Sequence, residues 1–408
     1  MKTLKAKYLL GPVILLTIIA GSCTEFKEPA DINSPTVAYS RNPAITQIVP
    51  SDSAMAGVRE ITLIGSNFFP GSIDSNLVYF QGKRAIIKNV AADKIVLYRP
   101  VLTDDQYGVP LNVALVVPSA LVTSTVKNYK IELPVRTFGD FSRYNYALMA
   151  AEVDKMENIY VASRRAIYKM TPDGININTW ASLSSDFAKI TDMKLGPSGS
   201  AQKYLYVLID KAAIYRLDLN TAAPVKLATF PSVVAKADFD DKGNLYAAKT
   251  DGIFVLHQDL TMADLQSYKN IQINELRVYN GYLYAATPKA LYRNQIKDNT
   301  GKLGPQETVA DLSRQAELAS CEISSFNIGA DGTILLCLKS HPKYSLFVLE
   351  NDGSMTPYYS AKILPQLVDQ MIWGSGRFMY LSRGSLARDS VRFYKMGMDR
   401  NSAPYLGR

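Results

Sequence analysis

The sequence predicts an all-β chain in which a β-sandwich precedes a six-bladed β-propeller. Three observations lead there. The phrase GNLYAAKTDGIFVL, residues 243–256, returns as ENIYVASRRAIYKM, KYLYVLIDKAAIYRL, GYLYAATPKALYRN, GTILLCLKSHPKYSLFVL and RFMYLSRGSLARDSVRFYKM. Its key position falls at Tyr160, Tyr206, Tyr246, Tyr284, Leu335 and Tyr380, spaced 46, 40, 38, 51 and 45 residues, the period of a propeller blade or a solenoid unit. The content of each unit decides between the two. A short apolar run, a Gly/Asp turn and a hairpin rich in Ile, Val, Tyr and Phe are strand signals, and no amphipathic run of helical length intervenes.

The first element is a leader. MKTLKAK is basic, YLLGPVILLTIIA is a 13-residue apolar core, and Ala20-Gly21-Ser22 is a small-residue cleavage site ahead of Cys23. That core is shorter than the ~20 residues that span a bilayer as a helix. Small residues followed at once by cysteine resemble a bacterial lipobox, with Ala20 where that family usually has Leu. The resemblance implies removal of residues 1–22 and lipid on the thiol and amine of Cys23. TEFKEP after the cysteine resembles the acidic signal that sends Bacteroidetes lipoproteins to the outer face of the outer membrane.

Length and composition agree with a large, turn-rich β core in more than one domain: 408 residues, 47% hydrophobic, 24 Gly and 20 Pro. The net charge of +8 falls to +5 once Lys2, Lys5 and Lys7 leave with the leader. No basic stripe suited to nucleic acid remains.

Residues 23–42, polar with Pro29 and Pro35, are expected to be a tether, able to lift the next domain ~60 Å if fully extended. From 43 to 132, short alternating strands with turn signals every 8 to 12 residues argue for a β-sandwich. Its Pro43-x-Ile45-x-x-Ile48-x-Pro50 opening, ITLIGSNF at 61–68, VYFQGKRA at 78–85 and Pro100 resemble the IPT/TIG family of immunoglobulin-like domains, which implies a spacer or interaction module.

Residues 133–408 are expected to form the propeller. Turns such as DFDDKGNLY at 238–246 and GADGTIL at 329–335 resemble NHL-type repeats, although SGRFMY in the last unit lacks the Asp. The sixth repeat ends near Met398, so a strand around Val135 to Phe138 is needed to complete its sheet. An ADG turn at 330–332 would set Cys337 opposite about Ser325, four residues from Cys321, too far for a disulfide. Both are expected to be buried thiols.

Chemistry is sparse, and neither a catalytic residue nor a cofactor is expected. His257 and His341 are the only histidines and neither belongs to an HxxxH or HxH pair, so no metal site is expected. DFDDKG mimics the start of a calcium loop, but Lys242 and Lys249 occupy ligand positions, which leaves a β-turn. No nucleophile elbow, Walker loop or Cys/His pair is present.

The turns between second and third strands are more informative, because in a propeller they share a face with the links between blades. They carry Arg164, Arg165, Lys211, Lys249, Lys289, Lys339, Lys343, Arg383 and Arg388, which against Asp210, Asp251 and Asp389 leave a net +6. Cations converging on one funnel would attract an anionic partner; surface turns also favour Lys and Arg simply as solvated, edge-protecting residues. From the repeated aromatic to its partner the spacing is 8, 9, 8 and 8 residues, then 12 and 14, so KSHPKYS and RGSLARDS are expected to protrude. Tyr344 in the first is suited to stacking on a sugar ring or an apolar side chain, and Trp180 is expected near the same rim. Trp373 is expected on the opposite side.

The whole resembles accessory surface lipoproteins of Bacteroidetes that accompany a TonB-dependent transporter and its lipoprotein lid, many of which bind glycans. The resemblance implies capture of a polysaccharide, acidic ones included, without turnover, by an outer-membrane protein facing the cell exterior. A protein- or peptide-interaction subunit of such an importer is the alternative, and a carbohydrate lyase or hydrolase the third.

Overall fold

A computed structural model describes residues 41–118, 120–141, 148–163, 166–183, 189–196, 203–248, 252–360, 363–364, 368, 370–374, 376–383 and 392–405. These residues form strands and three short 3-10 turns, with no α-helix among them.

The sandwich comes first. Its four-stranded sheet orders Ala44–Val49, Glu60–Ser66, Lys94–Tyr98 and Ile87–Val90, and its five-stranded sheet is built around Leu77–Phe80, Leu111–Val116 and Ser124–Ile131. Strict alternation explains the packing. Ile61 and Leu63, Val78 and Phe80, Ile95 and Leu97, and Val113 and Leu115 all face inward and are fully buried.

Six four-stranded sheets follow among the described residues. Their innermost strands are Ala150–Val153, Ile190–Gly196, Lys236–Phe239, Glu275–Tyr279, Glu322–Ile328 and Gln370–Trp373. Each touches the next, and the sixth touches the first, so the units close into a ring rather than stacking in a line. We number the blades one to six in that order. Blade six takes Val135–Thr137 as its outermost strand, paired antiparallel with Arg392–Gly397 in the register Val135 to Met396 and Thr137 to Tyr394. The expected closure is therefore the one observed.

The repeated aromatics are core. Tyr160, Tyr246, Leu335 and Tyr380 are fully buried, Tyr284 nearly so, and Tyr206 half-buried. Their hydroxyls explain why tyrosine serves better than phenylalanine here, since a buried O–H needs an acceptor. Tyr246 donates to Asp240 Oδ2 at 3.4 Å, and Asp240 also accepts from the backbone N–H groups of Lys242 and Asn244 and from the Asn244 amide. The carboxylate of the mimicked calcium loop is thus committed to a turn. Tyr380 donates instead across the ring seam, to Glu157 Oε2 of blade one at 2.8 Å. Glu157 adopts φ 61° where the equivalent Gly243 has φ 80°, a left-handed turn position. Ser325 faces Cys337, and both thiols, Cys321 and Cys337, are free and buried.

Sandwich and ring meet beneath blades five and six. The Gly57 N–H donates to Tyr359 Oη at 2.6 Å, and Tyr358 donates to Gly57 O at 3.2 Å. Arg59 pairs with Glu350 at 3.5 Å and Arg377 with Glu132 at 3.2 Å. Gly57 has φ 98°, and a Cβ there would fall on the Asp399 backbone, so only glycine fits.

Excising residues 135–137 is expected to lower the melting temperature of the entire propeller by roughly 10 °C in one transition, about 3 kcal/mol for three lost ladder pairs in a domain of this size. Calorimetry showing an unchanged main transition, with only blade six frayed, would contradict the closure.

Candidate functional site

The inner strands decide what the middle of the ring can hold. Facing the repeated aromatics across the first strand pair are Glu152, Lys194, Asp238, Arg277, Asn327 and Ile372, in blade order. Two residues earlier stand Ala150, Asp192, Lys236, Glu275, Ser325 and Gln370. In both layers the sign of charge alternates through the charged blades, and every member of blades one to five named here is buried except Lys236, whose side chain is 14% exposed.

These side chains fill the seams between inner strands. Asp192 accepts from the Ala237 N–H and Asp238 from the Val278 N–H, each one blade on. Glu275 lies at the centre, 3.1 Å from Arg277 Nη1, 3.5 Å from Lys236 Nζ, and accepts from Ser325 Oγ at 3.2 Å. Arg277 Nε donates to Asn327 Oδ1 at 3.3 Å, and Asn327 donates to Met371 O at 2.8 Å. Burial alone would raise the Glu275 carboxyl, but Arg277, Lys236 and Lys194 outweigh it and bring it down to about 2. The same carboxylate raises Lys236 and Arg277 against the opposing effect of their own burial.

One end of this axis is covered. After Met398 the chain runs beneath blade five, pairs Ser402 with Gly329, and ends its described course at Tyr405. Tyr405 Oη accepts from the Ile328 N–H at 3.0 Å, and its ring lies 5.9 Å from the Arg277 guanidinium. The second-to-third-strand turns lie on the opposite face.

On that face the anticipated residues separate. Arg164, Arg165, Lys249 and Arg388 lie outside the described residues, as do Cys23 and most of RGSLARDS. Arg383 ends the strand Phe378–Arg383. Lys211 and Lys343 are exposed in their turns, and Lys339 is exposed at the end of the strand Ile334–Lys339. Lys289 is committed locally, its Nζ donating to Ala319 O at 3.1 Å and Cys321 O at 2.7 Å, which ties its turn to the link into blade five. Trp180 packs edge-on against Tyr160 with centroids 5.0 Å apart, and the opposite-facing Trp373 is fully buried.

Tyr344 stands out because its surroundings form a concave surface. It stacks on His341 at 5.3 Å and meets Phe347 edge-on at 6.2 Å. His341 Nδ1 accepts from the backbone N–H groups of Lys343 and Tyr344, so its neutral ring offers Nε2–H as a donor. Partial burial lowers the imidazole below its ordinary range and favours that neutral form. Beside the three rings is a cavity of about 230 Å³ whose wall is completed by Gln315, Glu317 and Pro357. Aromatic faces beside a few polar groups suit a sugar ring. In the sequence His341 lacks a partner at metal-binding spacing and belongs to the protruding KSHPKYS turn; its three-residue interval from Tyr344 is the signal that it shares the site. Among the described residues no cluster of His, Cys, Asp and Glu could hold a metal ion.

Fold and site together define a sandwich-plus-propeller protein with a filled axis and an aromatic cavity on the rim. Residues 43–129 match the IPT/TIG domain family. Two solved structures share the architecture: an auxiliary nutrient binding protein from Bacteroides ovatus, at 13% identity and TM-score 0.50, covering 87% of this chain and 98% of that one, and another from Bacteroides thetaiotaomicron, at 12% and 0.52, covering 87% and 97%. A luciferin-regenerating enzyme is also similar, at 13% identity and TM-score 0.53, covering 67% of this chain and 98% of that one. At these identities the likeness is one of fold. No curated protein matches the sequence.

Arg277→Met is expected to cost about 3–5 kcal/mol, because it leaves Glu275 buried with too little compensation. Glu275 has a depressed folded pKa, so its contribution is complete above the ordinary value of 4.5 and is lost as pH falls through about 2. In Arg277→Met acid unfolding should begin at higher pH, and adding Glu275→Gln should recover part of the loss. Denaturant titrations across pH that show no such recovery would refute the axial pairing.

Proposed function

We infer that the chain is a lipid-anchored surface protein that captures a polysaccharide, acidic ones included, for a TonB-dependent uptake system, and releases it unaltered. The observation that carries this reading is the His341–Tyr344–Phe347 cluster beside its cavity, on the face that the axis and tail leave accessible. The shared two-domain fold with proteins described as auxiliary nutrient binding proteins supports it. So does the ion-paired axis, which leaves binding to the rim. Exposed Lys343 next to Tyr344 offers an acidic glycan a cation contact, and the remaining arginines of the longer turns are assigned the same role. Cys23 is assigned the lipid, residues 24–42 the tether, and the sandwich a spacer between membrane and ring. No helix among the described residues is long and apolar enough to cross a membrane.

Affinity gel electrophoresis against a panel of neutral and uronic-acid polysaccharides tests the reading. At least one is expected to retard the protein, with Tyr344→Ala weakening retention about tenfold, as the loss of a stacking contact near 1.4 kcal/mol would. Retention of an acidic polysaccharide should fall as salt rises. Unchanged retention in Tyr344→Ala refutes the site, and co-purification with a transporter without any glycan retention would instead mark a protein-interaction subunit.

Cys23→Ser is expected to abolish metabolic palmitate labelling and to move the protein out of the membrane fraction. Undiminished labelling would rule out that anchor.

A further inference from the structure

A second concave site lies where the sandwich meets blade six, away from the aromatic cavity. It is a cleft of about 460 Å³ lined by Arg136, Arg377, Lys395, Glu132, Leu133 and Phe378 among others. Arg136 belongs to the closing strand and stands opposite Lys395 in its register. Arg377 comes from the first-to-second-strand turn of the same blade, and Glu132 and Leu133 come from the chain leaving the sandwich.

Three cations and one carboxylate line the cleft, with Glu157 and Asp173 acting on Lys395 from behind it, and the lining carboxylate is engaged: Glu132 Oε2 accepts from Arg377 Nη2 at 3.2 Å and from the Ala56 N–H at 3.1 Å. Arg377 Nε is buried without a hydrogen-bond partner. Lys395 Nζ donates to Pro172 O at 3.2 Å and otherwise sits among the rings of Phe378, Phe138 and Tyr380, at 4.2, 5.0 and 5.4 Å. Arg136 has no carboxylate partner among the described residues, and its guanidinium lies over Phe138 at 5.9 Å. Burial and the neighbouring Arg136 lower the Lys395 ammonium against the opposing pull of Glu157 and Asp173.

We propose that this cleft binds a carboxylate carried on a compact ring, and specifically a uronic acid unit. The two guanidinium groups match a carboxylate's geometry. Leu133 and Phe378 supply an apolar wall for the less polar face of a pyranose ring. Anion selectivity rests on the cleft alone; the sugar identity rests on the function inferred above.

The test is ligand-observed NMR and calorimetry on the mature full-length chain, with D-glucuronate as probe and D-glucose as control. Saturable glucuronate binding in the millimolar range is expected, with no response to glucose. Arg136→Ser, at an exposed position, should weaken it at least tenfold without shifting the melting temperature of the ring, and Arg377→Gln should weaken it likewise, while Tyr344→Ala leaves it intact. No saturable binding, equal binding of glucose, or unchanged affinity in Arg136→Ser would overturn the proposal. Glucuronate binding lost in Arg136→Ser, in a protein that no polysaccharide retards, would uphold the cleft and reject the inferred function. Polysaccharide retention without glucuronate binding would do the reverse.

Discussion

Everything downstream of residue 133 depends on one short pairing, Val135–Thr137 against Tyr394–Met396. It joins the start of the ring to its end, so six sheets that could fray singly must open together. It also fixes the sandwich, because Glu132 and Leu133 lead directly into the closing strand and Glu132 is held by Arg377 of the same blade. The backbone contact of Gly57 with the Tyr358–Tyr359 pair completes the clamp from the other side. A closed ring leaves no long exposed sheet edge, which matters for a chain built almost entirely of strands.

Closure places the inner strands side by side, and there the electrostatics follow from geometry. Taking charges out of water is costly unless opposite charges and hydrogen bonds replace the solvent. Alternation of sign from Glu152 to Lys194, Asp238 and Arg277, and from Asp192 to Lys236 and Glu275, supplies that replacement, with Lys236 of blade three meeting Glu275 of blade four across their seam. Blades five and six offer Ser325, Asn327, Gln370 and Ile372 instead, so the pattern ends where the ring closes. The same alternation disfavours blades packed out of order, since that would set like charges together. Repeats this similar in sequence have a use for such a marker.

Much of this was legible in advance. The period and its tyrosines gave the blade count, the missing fourth strand of the last unit pointed to Val135, and the ADG turn placed Cys337 opposite Ser325. The sandwich motifs fell where the family match lies. The axial charges were hidden because ITDMKLG, VAKADFD and NELRVY look like apolar runs with occasional polar residues. Only the strand period, aligned across blades by the tyrosine opposite, shows that their acids and bases share one face. The turns were harder for another reason. A lysine in a turn is equally compatible with solvent, as in Lys343, and with a carbonyl two strands away, as in Lys289, and spacing does not distinguish them. The junction was invisible, since Arg136, Arg377 and Lys395 gather only after the chain has gone once around the ring.

The filled axis determines how such a molecule can select a ligand. A propeller with an open channel can surround a small molecule on all sides, whereas here Glu275 and Arg277 satisfy one another and Tyr405 lies across the lower end. On the function proposed above, recognition falls to two edges with different chemistry. The upper rim at Tyr344 is aromatic and nearly uncharged apart from Glu317 and Lys343, suited to ring faces; the lower junction is lined by cations, suited to an anion. Sites on opposite faces of one rigid ring cannot be reached by a single small sugar, but separate stretches of a long polymer can occupy both. Even weak contacts then reinforce one another through effective concentration, provided the polymer can span the edge of the ring.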